Sequence, residues 1–430
     1  MSVAPMERTG RSYRAGFEPI PRLLSRTATP TLQEHESRYG PYQRPVASLI
    51  DDIDEAGLRG RGGAGFPTAL KMRAVARAAR RGRRRPVVVA NGTESEPASN
   101  KDQVLLASSP HLVLDGIMAA ATAVDAGRAV LCVDRGHPEA AQSARAALYE
   151  RRGQDRLNVD IAEVPARYVA GEETALVSWL NGRLAKPTYQ LTRPAERGVD
   201  AAPTLVDNVE TLANLALIAR FGAPAWRAVG TGEERGTMLA TVRGGVHAPG
   251  VYEIPMGLPL AHLLSQAQAG RLAGVLVGGY FGTWLTPLEA SEAIMSTTGL
   301  RSVGASLGCG LVAALPEGHC PLEEVSRVLR WMAANSAGQC GPCVNGLPAL
   351  VGAFDQIVSG DRDGVAGCHI DRWAPMVAGR GACKLPDGMT RFLQSSRRVF
   401  AAHIGEHRRN GPCPPNQRLL LPTPALGGWR

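Results

Sequence analysis

The sequence predicts an α/β layer domain, then a small β-grasp-like module, then a C-terminal helical bundle. Three observations carry that prediction. Short β-rich runs alternate with helical patterns up to about residue 220, the pattern then changes to two strands, a turn and a helix, and after about residue 320 apolar residues recur at helical spacing. The 430 residues accordingly divide into an irregular arm (1–45), an α/β domain (46–235), a β-grasp domain (236–320), a helical domain (321–410) and a tail (411–430).

Each part has its own reason. The arm is rich in Arg, Pro and Thr and has no period. In the α/β domain, PVVVAN (86–91), AVLCVD (129–134) and LNVDIAEV (157–164) read as strands, and the tracts at 111–124 and 137–152 carry helical spacing between them. The run TMLATVRGGVHAPGVYEIPMG reads as two strands about a turn at Ala248-Pro249-Gly250, with a helix after it. The tracts around 321–360 and 389–409 are helical and bracket a C-x-x-C, which therefore falls at a helix junction. The last segment has five prolines and no period.

Composition limits the function classes. The formal charge is +9, but all but four of the 48 basic residues are arginine, a bias spread over the whole chain. Seven arginines lie between Arg73 and Arg85, at a helix end. A solvated helix end explains them, with docking of an acidic partner as the alternative. Nucleic-acid binding is not expected, because no aromatic platform or binding module accompanies the charge. No apolar run reaches the length of a membrane span, so the expectation is a cytoplasmic protein that meets a membrane only through a partner.

The stretch richest in chemistry is GLRGRGGAGFPTALKM (57–72), a glycine loop that runs into a helix start. Such a loop lets backbone approach a bound group, and a helix start offers N–H groups to a phosphate. It matches neither the P-loop nor the G-x-G-x-x-G pattern. NGTESEP (91–97), GEETALVSWLNG (171–182) and PTLVDNVETLANL (203–215) each place short polar side chains at an element boundary, where ligands are usually met. Five of the eight cysteines lie between 320 and 383, which favours metal or cluster ligation over a disulfide framework.

In their order and separations, GLRGRGGAGFPTALK, GEETALVSWLNG, PTLVDNVETLAN and GQCGPC resemble the NADH-binding flavoprotein subunit of respiratory complex I. They are similar also to the diaphorase subunits of NAD-linked hydrogenases and formate dehydrogenases. The resemblance covers roughly residues 45 to 400. It implies an FMN-binding α/β domain, a soluble-ligand-binding β-grasp domain and a helical bundle with a 4Fe-4S cluster. It further implies that NAD(P)H gives hydride to FMN and that single electrons leave through the cluster to a ferredoxin-like or other iron-sulfur subunit, or to a membrane-bound redox partner.

By the same resemblance Gly60, Arg61, Gly62, Gly63, Gly65 and Lys71 hold the FMN phosphate and ring. Asn91, Glu94, Gly171, Glu172, Asp207, Asn208 and Thr211 surround the ribityl chain and isoalloxazine. Phe66, Glu96 and Glu173 face the NAD(H), with Glu173 the candidate catalytic residue.

Departures from the family pattern leave alternatives open. Ala74, and Gln190 with Arg193, stand where the family has stacking phenylalanines and a lysine, and Thr93 stands for an aspartate. A stacking contact is worth roughly 1–3 kcal/mol, so losing two weakens NADH binding by orders of magnitude unless Tyr189 or Arg193 substitutes. The cluster cysteines are Cys340, Cys343 and Cys383, and Ala337 occupies the place of a fourth. A 4Fe-4S cluster with an outside ligand, a 3Fe-4S cluster, or no cluster are the outcomes, with Cys368 and His369 close enough in sequence to help. Cys309, Cys320, Cys368 and Cys413 otherwise read as ordinary thiols. The alternative functions are a flavin- or ligand-binding scaffold without NADH turnover, and a flavoprotein that accepts electrons from ferredoxin.

Overall fold

The computed structural model describes residues 23–24, 31–41, 48–189, 192–232, 234–416 and 418–430. Most of the expected arm, and Gln190, lie outside them. Before the first strand come helices α1 (Leu32–Tyr39), α2 (Leu49–Ala56) and α3 (Thr68–Arg81). Strands β1 (Val87–Gly92), β2 (Arg128–Asp134), β3 (Val159–Val164) and β4 (Thr204–Asn208) form a parallel sheet in the order β3-β2-β1-β4. Helices α4 (Lys101–Ser108), α5 (Pro110–Ala123), α6 (Pro138–Glu150), α7 (Glu173–Leu180) and α8 (Val209–Arg227) connect and follow these strands.

The sheet is apolar on both faces, as a parallel sheet between helices requires. Val88, Ala90, Leu131 and Leu205 pack with α5 and α8 on one face. Val87, Val89, Val130 and Val206 pack with Leu176 on the other. The three expected strands are present. The fourth is a short one in the PTLVDNV run, and it lies beside β1, so the chain reverses its direction of travel across the sheet there. Ligands of open α/β sheets bind at such a switch point, beyond the carboxyl ends of the strands.

The second module has β5 (Thr237–Gly244), β6 (Gly250–Pro255), α9 (Leu260–Gln266), β7 (Leu272–Val277), β8 (Thr283–Leu285), short helices α10 (Pro287–Glu292) and α11 (Thr297–Ser302), and β9 (Leu311–Pro316). The strand order is β6-β5-β9-β7-β8, with β5 and β9 parallel and the other pairs antiparallel. Leu260, Leu263 and Leu264 of α9 join the core beneath it, which makes this the β-grasp expected. It is tied to the first domain by the Leu239 N–H on Glu210 Oε1 at 2.8 Å and the Asn100 N–H on Thr241 Oγ1 at 3.2 Å.

The C-terminal helices are α12 (Pro321–Ala334), α13 (Leu347–Val358), α14 (Val365–Val377), α15 (Leu385–Val399) and α16 (Ala401–Asn410). Leu322, Val325, Leu329 and Met332 form one stripe of α12, at helical spacing, and meet Leu350, Phe354, Ile370 and Phe392 in the core. Prolines keep residues 411–416 and 418–430 out of helix and strand, yet the segment is docked as a strap across α12. The Trp331 indole N–H donates to Pro424 O at 2.8 Å, Arg327 to Thr423 Oγ1 at 2.7 Å and the Tyr280 hydroxyl to Pro422 O at 2.6 Å. Among the described residues no single helix is long and apolar enough to cross a membrane. The bent pair α4 and α5 passes by length and composition, at an angle of 97°, and α5 is buried in the α/β core.

Candidate functional site

At the switch point Asn91 of β1 pairs in register with Asn208 of β4. Both are polar where their strands cease to be apolar, and Asn208 also caps α8, its Oδ1 accepting the Glu210 N–H at 3.0 Å. Its amide donates to Asn91 O at 3.1 Å and to Asp102 Oδ2 at 2.7 Å. The glycine loop arches over this edge. The Arg61 N–H donates to the buried Thr211 Oγ1 at 2.9 Å, and the loop closes through the Gly60 N–H on Phe66 O at 2.9 Å. Gly63 has φ +114°, a conformation that side chains rarely take. Gly62 lies against the Asn208 side chain, and Gly65, beyond it, offers its carbonyl to Arg59 at 3.0 Å.

Lys71, one turn into α3, reaches down to the sheet. Its Nζ lies 3.5 Å from Asp207 Oδ1 and 3.7 Å from Glu173 Oε1, and it donates to Val206 O. Burial works against its charge, but the two carboxylates outweigh it and raise the ammonium above its ordinary value. On the far side Glu172 caps α7, accepting the Thr174 and Ala175 N–H groups at 2.9 and 3.2 Å. Gly171 sits so close to Ser95 that a Cβ would lie 2.2 Å from its hydroxyl, and its carbonyl accepts the Asn91 amide at 2.9 Å. Thr93 Oγ1, in place of an aspartate, donates to Asn91 Oδ1 at 2.8 Å and fixes that amide. The loop, Lys71, Asn91, Gly171, Glu172, Glu173, Asp207, Asn208 and Thr211 are thus gathered at one strand edge.

Two expected residues are engaged elsewhere. Glu94, at φ +40°, turns its carboxylate to the start of α4, where it accepts the Ser99 hydroxyl at 2.6 Å and the Asp102 and Gln103 N–H groups at 3.1 and 2.9 Å. Glu96 is buried against the β-grasp domain, with Oε2 accepting the Tyr280 N–H at 2.7 Å and the Tyr168 hydroxyl at 3.1 Å. Burial lifts both carboxyls to about 7. Beneath them the buried Lys101 pairs with Asp102 at 2.7 Å and Glu210 at 2.9 Å, a charge network that the sequence reading overlooked.

One buried polar atom at this edge fits a ligand with a hydrogen-bond donor: Asp207 Oδ2, beside Lys71, is buried without a hydrogen-bond partner. The buried Arg61 side chain turns instead to the β-grasp domain, where it donates to Thr237 O at 3.3 Å. Phe66 at 45 % and Tyr189 at 80 % exposure are aromatic faces open to solvent. Tyr189 follows Thr188, whose N–H donates to Thr174 Oγ1 on α7.

Cys340, Cys343 and Cys383 come together at the junction of α12 and α13. Cys343 lies in a single π-helical turn, Pro342–Gly346, a distortion frequent at functional sites. Burial and a hydrogen bond to Cys340 push its thiol up to about 12. Partial burial opposes it, but N–H groups of Ala382 and Cys343 hold Cys340 below its ordinary value. Burial raises Cys383, and the charge of Glu172 adds to that. Three gathered thiols suit an iron-sulfur cluster. Ala337 is 8 % exposed, and its carbonyl accepts Lys186 Nζ at 2.9 Å.

Cys368 instead lines a surface cleft of about 630 Å³, and His369 stacks on Trp373 at 4.5 Å. Cys320 and Cys413 are not ordinary thiols: they meet His403 and His407. The signal in the sequence is H-x-x-x-H on one helix with a cysteine six residues on.

Residues 53–217 match the family described as the Nuo51 FMN-binding domain, and residues 323–407 the NADH-ubiquinone oxidoreductase-F iron-sulfur binding region. The F subunit of the NADH-quinone oxidoreductase of Streptomyces coelicolor is 32 % identical over 402 residues, covering 89 % of this chain and 88 % of that protein. This chain belongs to the family of NADH-quinone oxidoreductase F subunits. The F 2 subunit of the Rhizobium meliloti enzyme is 28 % identical over 381 residues, covering 85 % of this chain and 90 % of that protein. A solved structure of an NAD+-reducing NiFe hydrogenase in its H2-reduced state superposes with a TM-score of 0.74 at 29 % identity, covering 86 % of this chain. The chain spans 63 % of that hydrogenase chain. The matches bear out the expected flavin and iron-sulfur groups and the oxidoreductase class, and the relatives' names make the family one of subunits in larger assemblies.

Proposed function

We propose that this protein oxidises NADH at an FMN seated in the crevice beyond β1 and β4 and passes electrons to an iron-sulfur cluster on Cys340, Cys343 and Cys383. The observation that carries the reading is the convergence of the glycine loop, Lys71, Asp207 and the Glu172-Glu173 pair at the switch point, with the cysteine-bearing loop tied to the same domain by Lys186 on the Ala337 carbonyl. When bound, FMN supplies the ability to take two electrons as hydride and release them singly.

The chain's residues do the rest. The Gly60–Gly65 loop and the start of α3 face the phosphate, and Lys71 offsets its charge as a point cation. Asp207, through its unpartnered Oδ2, and Asn91, Asn208 and Thr211 orient the polar edge. Phe66 and Tyr189 offer stacking faces to the dinucleotide where Ala74 and Arg193 do not. Glu173 sits at the mouth with its carboxylate on Lys71, where it positions the ribose hydroxyls or the nicotinamide.

At the exit Ala337 has no ligating atom. Cys340, Cys343 and Cys383 would hold an iron-sulfur cluster by three thiolates, as a 4Fe-4S group with a fourth ligand from outside the protein or as a 3Fe-4S group without one. The electron acceptor is an iron-sulfur subunit of the assembly, and the protein lies in the cytoplasm.

Anaerobic addition of NADH to the flavin-loaded protein tests the reading. The visible flavin band is expected to bleach within the mixing time. A flavin that is bound but keeps its colour in excess NADH would rule out the donor half and favour a scaffold or a ferredoxin-fed flavoprotein.

A further inference from the structure

A second cluster of ligating side chains lies away from the crevice and outside the cysteine set that ends at Cys383. Cys320 is the N-cap residue of α12, His403 and His407 are one turn apart on α16, and Cys413 comes two residues after Gly411, which ends α16. Their ligating atoms all lie within 4.8 Å of one another. We propose that Cys320, His403, His407 and Cys413 form a structural zinc site that fastens the C-terminal strap to the helical bundle.

The distances suit one tetrahedral ion. Bonds of about 2.3 Å to sulfur and about 2.0 Å to nitrogen place sulfur and nitrogen ligands about 3.5 Å apart. Here His407 Nε2 lies 3.6 Å from Cys320 Sγ, and His403 Nε2 lies 3.3 Å from Cys413 Sγ. The pairing matters as much as the length. A two-iron centre on two cysteines and two histidines puts both sulfurs on one metal and both nitrogens on the other, separated by the iron-iron distance. In this chain each sulfur is beside a nitrogen, so a single ion serves all four, and a tetrahedral S2N2 set selects zinc.

The surroundings are those of ligands and not of stray thiols. His407 is 2 % exposed, and its outer Nδ1 bonds Val358 O at 2.8 Å, which sets that nitrogen as the N–H and turns the Nε2 lone pair inward. The same Nε2 accepts the Cys413 N–H at 3.2 Å, a contact the ion would displace. His403 has Glu406 Oε2 at 3.2 Å from its outer Nδ1, a carboxylate-histidine pair.

The site also has something to hold. Beside it Asn416 pins the strap to α12, its Oδ1 accepting the Cys320 N–H at 2.8 Å and its N–H donating to Glu323 Oε2 at 2.7 Å. From there the strap runs past Thr423 and Pro424 to Trp429, whose ring lies under the Arg167 guanidinium at 4.2 Å and the Lys186 ammonium at 5.0 Å. Lys186 is the residue that bonds the Ala337 carbonyl. Closure at one end of the strap therefore bears on the edge of the iron-sulfur site at the other.

The test is metal analysis of the full chain, loaded with flavin and iron, by plasma mass spectrometry, with zinc-edge X-ray absorption on the same sample. The expected result is roughly one zinc per chain, with about two sulfur and two nitrogen neighbours at the bond lengths above. His403→Gln combined with Cys413→Ser is expected to lose that zinc, to keep flavin and iron, and to be cut by trypsin within residues 411–430 at least tenfold faster. His403→Gln alone, at a partly exposed position, is the control for folding and is expected to weaken zinc retention against a chelator. Zinc absent from the purified protein and not taken up from added zinc chloride overturns the proposal. So does zinc retained by the double variant, a sulfur-only shell, or a Cys320–Cys413 disulfide. None of these outcomes depends on whether NADH reduces the flavin.

Discussion

The two ends of the electron path have diverged differently. In the flavin crevice the residues that set geometry are kept and locked: Asn208 bonds both Asn91 and Asp102, Arg61 is bound to Thr211, and Lys71 spans Asp207 and Glu173. At the exit one ligand position is an alanine, its carbonyl tied to Lys186, and a separate Cys2His2 group stands further along the bundle. A crevice built on a sheet edge depends on many mutually supporting contacts, so substitution there is costly. At the exit the thiolates come from two short segments, Cys340 and Cys343 from the junction of α12 and α13 and Cys383 from the stretch before α15, so three ligands remain although Ala337 supplies none.

The strongest challenge to the crevice is removal of its buried cation. Lys101→Met leaves Asp102 and Glu210 as uncompensated buried carboxylates, and a loss of about 3–5 kcal/mol is expected in urea unfolding of the full chain. At the exit Lys186 bonds a neutral carbonyl and no buried carboxylate is left by its removal, so Lys186→Met is expected to cost only about 1 kcal/mol. Equal losses would erase the contrast.

The pH dependence should belong to the contact between the first domain and the β-grasp module. Burial lifts Glu96 to about 7, so the folded chain holds a proton that the unfolded chain releases in the ordinary carboxylate range. Stability is therefore greatest below that ordinary range and falls as pH rises through it to about 7. The slope approaches about 1.4 kcal/mol per pH unit for one proton. Glu96→Gln should flatten it, and Glu94, lifted to about 7 likewise, accounts for the remainder.

A smaller effect probes the donor. Phe66→Ala and Tyr189→Ala should each raise the KM for NADH about fivefold with flavin content unchanged, the low end of a stacking contact. No change in either variant would mean that the dinucleotide stacks elsewhere, Arg193 being the next candidate.

Most of the fold was legible because strands such as VVVANG and the amphipathic α12 declare their period. β4 was harder: five residues that end in Asp207-Asn208 look like a loop until β1 is beside them. Glu94 and Glu96 could not be placed from sequence, since their partners, Gln103 on one side and Tyr168 and Tyr280 on the other, are set by tertiary packing. The Cys320-Cys413 encounter spans the whole bundle, and the proline-rich segment that delivers Cys413 carries no period to announce that it docks.

The contrast between the two ends is tested most directly by iron content and electron paramagnetic resonance of the anaerobically purified protein beside its Ala337→Cys variant. A cluster on three thiolates predicts iron in both, with the oxidised parent showing a three-iron signal that the restored fourth cysteine suppresses. Absence of iron from both, or a three-iron signal that persists unchanged in the Ala337→Cys variant, would contradict the account of the exit.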